Sequence, residues 1–85
     1  MVKVTVYSTR VCPYCRMAEK LLDKKGVAYD KIMIDEQPEQ RAHMERLSGR
    51  KTVPQIFVNS THIGGFTDLA ALDRAGKLDT LLARA

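Results

Sequence analysis

The chain has 85 residues, 45% of them apolar, and a net charge of +4, a balance that fits one folded domain and argues against disorder. A core of that size leaves little room for a deep pocket, so a ligand is expected in a shallow surface groove. The longest apolar runs, such as Ile32-Met33-Ile34 and Leu69-Ala70-Ala71-Leu72, are too short to cross a bilayer, and the opening Met1-Val2-Lys3-Val4-Thr5 lacks the apolar run of an export signal, so the expected location is the cytoplasm, away from membranes.

Val2, Val4 and Val6 alternate with Lys3 and Thr5, the period of a strand. Cys12-Pro13 then predicts a helix start, with Met17, Ala18, Leu21 and Leu22 as an apolar face at helical spacing. Gly26 is placed to cap its end. Residues 27–34, rich in β-branched and aromatic side chains, predict a second strand. Pro38 starts another helix, thinly apolar at Ala42, Met44 and Leu47 and closed by Gly49; it should pack on one narrow stripe and show its charges to solvent. Residues 54–58 predict a third strand, Asn59-Ser60 a turn, and His62-Ile63 a short fourth strand ended by Gly64-Gly65. Thr67 is the expected N-cap of a helix through Ala75, and Gly76 separates it from a last short helix over 78–84.

The order is β-α-β-α-β-β-α with that short terminal helix. A right-handed crossover makes the first two strands parallel, and the closing hairpin adds antiparallel strands. The expected fold class is α/β, a four-stranded mixed sheet flanked by helices. No repeat or linker divides residues 1–85, which read as a single domain.

Basic residues gather in two stretches. Arg10, Arg16, Lys20, Lys24 and Lys25 stand against Glu19 and Asp23, and Arg41, Arg46, Arg50 and Lys51 stand against Glu45. Most of these charges are expected on solvated helix faces, with enough excess to suit a small anionic ligand. Nucleic acid is not an expected partner, because no aromatic residues interleave with the basic ones as stacking platforms.

The strongest chemical signal is Cys12-Pro13-Tyr14-Cys15, directly after a strand and opening a helix. A bond between cysteines so close together staples almost nothing, so the pair points to redox chemistry or metal binding. The free amides and positive pole of the helix start favour thiolate at Cys12, with Arg10 and Arg16 as nearby positive charges. Cys15 falls one turn further on the same face, with Cβ atoms about 5–6 Å apart, close to disulfide range. A zinc site needs two more ligands, and His43 and His62 lie on different predicted elements without ligand spacing, so no metal is expected. Burial as two small hydrophobes is disfavoured by the exposed strand-to-helix junction.

Two further segments are ambiguous when read alone. Thr52-Val53-Pro54 predicts a trans proline at a strand start; a cis bond would instead turn the Val53 backbone outward to pair with an extended peptide. Gly64-Gly65-Phe66-Thr67-Asp68 reads as a turn and helix cap, or as a helix start whose amides receive a carboxylate while Asp68 meets an ammonium.

Taken together, Cys12-Pro13-Tyr14-Cys15, Thr52-Val53-Pro54 and Gly64-Gly65 followed by Asp68 resemble the glutaredoxin family over residues 2–84. The likeness is greatest to the compact dithiol glutaredoxins of bacteria, the glutaredoxin 3 class, through Ser48-Gly49-Arg50 and His62-Ile63-Gly64-Gly65. The resemblance implies a thioredoxin-like fold, a cis Pro54, and glutathione as co-substrate with no permanently bound cofactor. It assigns Cys12 as nucleophile and Cys15 as resolving thiol. It places glutathione along Tyr14, Thr52, Val53, Pro54 and Gly65, with the amides of Phe66, Thr67 and Asp68 on the γ-glutamyl carboxylate and the Asp68 side chain on the ammonium. The family commonly has lysine three positions before the first cysteine, where this chain has Thr9. Arg41, assisted by Arg10, is therefore expected to take the glycine carboxylate.

The implied activity is reduction of protein–glutathione mixed disulfides and of protein disulfides by a monomer. Two rivals are a redoxin recycled by a flavoprotein reductase and a two-chain iron–sulfur carrier. The Gly64-Gly65…Asp68 pattern disfavours the first and Pro13 the second.

Overall fold

The computed structural model describes residues 3–83, so Val2 and Arg84, expected at the ends of the first strand and last helix, lie outside it. Eight elements follow in order: β1 (Val4–Ser8), α1 (Pro13–Lys24), β2 (Asp30–Met33), α2 (Pro38–Ser48), β3 (Gln55–Val58), β4 (Thr61–Gly64), α3 (Phe66–Arg74) and α4 (Lys77–Ala83). The sheet order is β2-β1-β3-β4. β1 and β2 are parallel, with Thr5 opposite Asp30, while β1–β3 and β3–β4 are antiparallel. This is the expected α/β sheet with helices on both faces.

The α1/α3/α4 face holds the larger core. Val4, Val6, Ala18, Leu22, Ile56, Val58, Leu69 and Leu78 are buried together there. A wholly buried leucine such as Leu69 contributes roughly 1.5–3 kcal/mol of transfer free energy. The α2 face is thinner, with Tyr7, Ile34, Met44 and Phe57 as its buried cluster and the Tyr7 and Phe57 rings edge to face at 5.9 Å. Burial raises the Tyr7 hydroxyl above its usual range.

The local differences from expectation have local causes. Residues 27–29 do not join the second strand, because the Val27 N–H still bonds Leu22 O at 3.3 Å and finishes α1 behind Gly26, whose φ is +72°. Pairing with β1 begins at Asp30. On α1 the buried stripe is Cys15, Ala18, Glu19 and Leu22, while Met17 faces solvent. On α2, Met44 alone is buried; Ala42 and Leu47 are exposed. The narrow stripe expected for this helix is thus one residue wide. Its end is as expected, with Gly49 left-handed at φ +71°.

Two backbone details shape one end of the molecule. The Val53-Pro54 bond is cis, not the trans form that the segment predicts by itself. α3 is capped by Gly65 rather than Thr67, because the Asp68 carboxylate accepts the Gly65 N–H at 2.9 Å and draws the helix start two residues back. No helix among the described residues is long and apolar enough to cross a membrane.

Candidate active site

Cys12 is the N-cap of α1, extended at φ −153°, with Pro13 in the first helical position. The first helical bond runs from Arg16 N–H to Cys12 O at 3.1 Å. The Cys15 N–H donates to Cys12 Sγ, also at 3.1 Å, so the sulfur occupies the capping position that a serine or aspartate oxygen usually fills. A negative sulfur there is favoured by that amide and by the helix pole. Cys12 and Cys15 are joined as a disulfide, their Cα atoms 5.2 Å apart. Cys15 is wholly buried and Cys12 partly exposed. Only Cys12 can therefore meet a large reactant first.

A groove of about 220 Å³ opens beside the pair. Tyr14, 57% exposed and tilted against Phe66 with ring centroids 6.3 Å apart, forms one wall. Thr52, Val53, Pro54 and Gln55 form another, and the Val53 carbonyl oxygen lies 3.9 Å from Cys12 Sγ. Gly65, Phe66, Thr67, Asp68 and Arg50 close the far end.

That end is electrostatically organised. Asp68 Oδ2 accepts from Gly65 N–H and, at 3.1 Å, from Arg50 Nη1. The amide first and the guanidinium second hold its carboxyl below the usual carboxylate value. The first α3 bond is Leu69 N–H to Gly65 O at 3.0 Å, which leaves the amides of Phe66, Thr67 and Asp68 ahead of the ladder. Gly64 makes the tight approach possible: at φ +118°, a Cβ there would run into the Asp68 carboxylate.

Beneath the groove a relay joins β4 to the proline loop. His62 Nε2 donates to Gln55 Oε1 at 2.7 Å, and Gln55 Nε2 donates to Thr52 O and Oγ1 at 3.0 and 3.3 Å. The His62 ring also stacks on Phe57 with centroids 4.9 Å apart. Burial, and then the charge of Arg50, lower its imidazole pKa.

Among the expected site residues, Tyr14, Thr52, Val53, Pro54, Gly65, Phe66, Thr67 and Asp68 meet in one groove beside Cys12. Arg10 and Arg41 do not line it. Arg10 pairs with Glu36 at 3.3 Å and its N–H bonds Asp35, while Arg41 donates to Lys51 O at 3.3 Å beside the proline loop. Arg50 and Gln55 do line it, although Arg50 reads in the sequence as one charge in a basic stretch and as the end of Ser48-Gly49-Arg50, not as a binding residue. Their positions, two residues before Thr52 and immediately after Pro54, are the signal that could have found them. Arg16, expected as a charge beside Cys12, bonds Thr9 O at 3.0 Å, on the segment leading into Cys12, and Glu19 at 3.0 Å.

The glutaredoxin family model matches residues 4–63. A glutaredoxin of Pseudomonas aeruginosa is 52% identical over 83 residues, covering 98% of this chain and 99% of that protein. Glutaredoxin 3 of Escherichia coli is 49% identical over 82 residues, covering 96% and 99%. Among solved structures, a buckwheat glutaredoxin–glutathione complex superposes with a TM-score of 0.86 at 33% identity, covering 93% of this chain and 74% of that one. With a partly exposed and a buried cysteine of one helix start joined as a disulfide, the chain belongs to the glutaredoxin family of thiol–disulfide oxidoreductases.

Proposed function

We propose that the protein reduces protein–glutathione mixed disulfides and protein disulfides with glutathione as co-substrate, through Cys12 as nucleophile and Cys15 as resolving thiol. The observation that carries this reading is the far end of the groove that opens beside Cys12, where Asp68, Arg50 and three leading amides of α3 suit a ligand with a carboxylate next to an ammonium. The solved buckwheat homologue bound to glutathione supports it.

In this reading the glutathione backbone pairs with Val53, and its γ-glutamyl carboxylate meets the amides of Phe66, Thr67 and Asp68. The ammonium takes the Asp68 carboxylate, and Arg50 turns from Asp68 toward the ligand carboxylate. Thr52, Pro54, Gly65 and Tyr14 shape the walls. The glycine carboxylate goes to Arg41, held at the Lys51 carbonyl on the approach to Thr52, with Arg10 assisting.

Cys12 thiolate attacks the glutathionyl sulfur of a protein mixed disulfide. The protein thiolate leaves and takes a proton, and Cys12 carries glutathione. The thiolate of a second glutathione attacks that sulfur, forming oxidised glutathione and releasing Cys12 thiolate. With a protein disulfide, Cys12 first forms a mixed disulfide with the substrate. Cys15, as thiolate, then attacks Cys12 Sγ, releases the substrate thiol and closes the Cys12–Cys15 bond. Two glutathione molecules reopen it. One chain supplies every group, so the reading is of a monomer without a resident cofactor, acting in the cytoplasm on glutathionylated or disulfide-bonded proteins.

A glutathione-coupled assay on a small glutathione mixed disulfide tests it. The native chain and Cys15→Ser should turn over and Cys12→Ser should not, while only the native chain reduces a protein disulfide. Turnover by Cys12→Ser, or recycling of the native chain by a flavoprotein reductase but not by glutathione, overturns it.

A further inference from the structure

One helical turn beyond Cys15 lies a buried carboxylate that the reaction above does not use. Glu19 is 8% exposed on the same face of α1 as Cys15, Ala18 and Leu22. Its Oε2 accepts from Ser8 Oγ at 3.1 Å and from Arg16 Nη2 at 3.0 Å, and Lys31 Nζ stands 3.6 Å from Oε1. Ser8 comes from the end of β1 and is wholly buried; Lys31 reaches across from β2. Tyr29 and Asp23 complete the surroundings. The Tyr29 hydroxyl is raised first by burial and then by the charges of Asp23 and Glu19.

The guanidinium that Glu19 holds is fastened to the segment entering the active site. Arg16 Nη2 donates to Thr9 O at 3.0 Å and to Ser8 Oγ at 3.4 Å, and Nη1 to Arg10 O at 3.5 Å. Its positive charge therefore sits against the backbone two to three residues before Cys12, where it favours the thiolate. Glu19 places an opposite charge on that same guanidinium.

We propose that Glu19 is a positioning residue that sets the acidity of Cys12, by fixing and neutralising Arg16 against the Thr9 and Arg10 carbonyls. With Glu19 present, the Arg16 charge is largely cancelled and Cys12 depends on the helix start for its thiolate. Without it, Arg16 and Lys31 both lose their counter-charge, and the site turns more positive.

The test reads the Cys12 titration directly. In the reduced full chain, the rate of iodoacetamide alkylation is followed against pH, with mass spectrometry placing the label on Cys12. Glu19→Gln should lower the midpoint by about half a pH unit, as expected for the loss of one partly screened charge. Arg16→Gln should raise it by about as much, and the double variant should lie within about 0.2 of native. A purely structural role predicts a lower melting temperature in both single variants without midpoint shifts of opposite sign. An unmoved midpoint in folded Glu19→Gln, or two single variants that shift the same way, overturns the proposal. If Glu19→Gln does not fold, Arg16→Gln and Lys31→Gln carry the test: both must raise the midpoint, and no rise in Arg16→Gln overturns it. The readout contains no glutathione, so its outcome is independent of the co-substrate assigned above.

Discussion

Two helices begin at the site, and they use the same physics for different ends. α1 is capped by the Cys12 sulfur, which accepts the Cys15 N–H. α3 is capped by Gly65, which has no side chain, so its leading amides face the groove while Asp68 bonds back to the glycine. One positive helix pole is turned on an atom of the chain; the other is turned outward. The difference teaches that a helix start is closed on an atom of its own chain or left open to the groove according to what occupies the capping position. The two also depend on different support. α1 sets its sulfur through the buried Cys15, whereas α3 depends on a carboxylate, a guanidinium and a glycine with positive φ.

If α3 is the receptive end, Asp68→Ala should raise KM for glutathione by tenfold or more and change kcat little, since a charged hydrogen bond is worth about 1.5–3 kcal/mol. Steady-state kinetics in the coupled assay decide this. A fall in kcat at unchanged KM would erase the division between the two helix starts. Next in size is Gly64→Ala, expected to cost about 1–3 kcal/mol in denaturant unfolding because alanine meets both the strained φ and the Asp68 carboxylate. Val11→Ala, beside Cys12 and 90% exposed, should stay within about 0.5 kcal/mol. Equal losses at these two positions would mean that the α3 start is no more tightly constrained than the α1 start.

The smallest effect is in pH. His62 titrates below its ordinary 6.5 in the folded chain, so the unfolded chain takes up the proton first as pH falls. The linked stability is complete above 6.5 and is lost as pH drops through that value toward the lower native one. In His62→Gln this part of the stability–pH slope should disappear, as read by thermal melts across that window. An unchanged slope would show that burial and the charge of Arg50 do not hold the ring neutral.

Much of this was legible in the sequence, for identifiable reasons. Cys12-Pro13-Tyr14-Cys15 and Gly26 carry their own stereochemistry, so the start and end of α1 follow from residue type. The cis bond before Pro54 does not, since a proline at a strand start permits either isomer. Thr67 is a good cap by type but lost to Gly65, because Asp68 reaches a backbone amide that only the folded turn brings near. Glu19 escaped notice because a carboxylate on an apolar stripe is normally solvated; three groups from three elements make its burial tolerable. Arg50 looks like any surface cation until the fold sets it beside Asp68.

The sheet has two open margins, and β2 is one of them. Its first two residues, Asp30 and Lys31, are exposed and opposite in charge, and both are engaged sideways, Asp30 with Lys3 and Lys31 with Glu19. At the opposite margin, the β3–β4 register shifts between Ile56 and Phe57. Charge on one rim and a kink by the other make both poor templates for strand addition. An extended, sticky segment of another chain would thus find little regular backbone to add to at either rim.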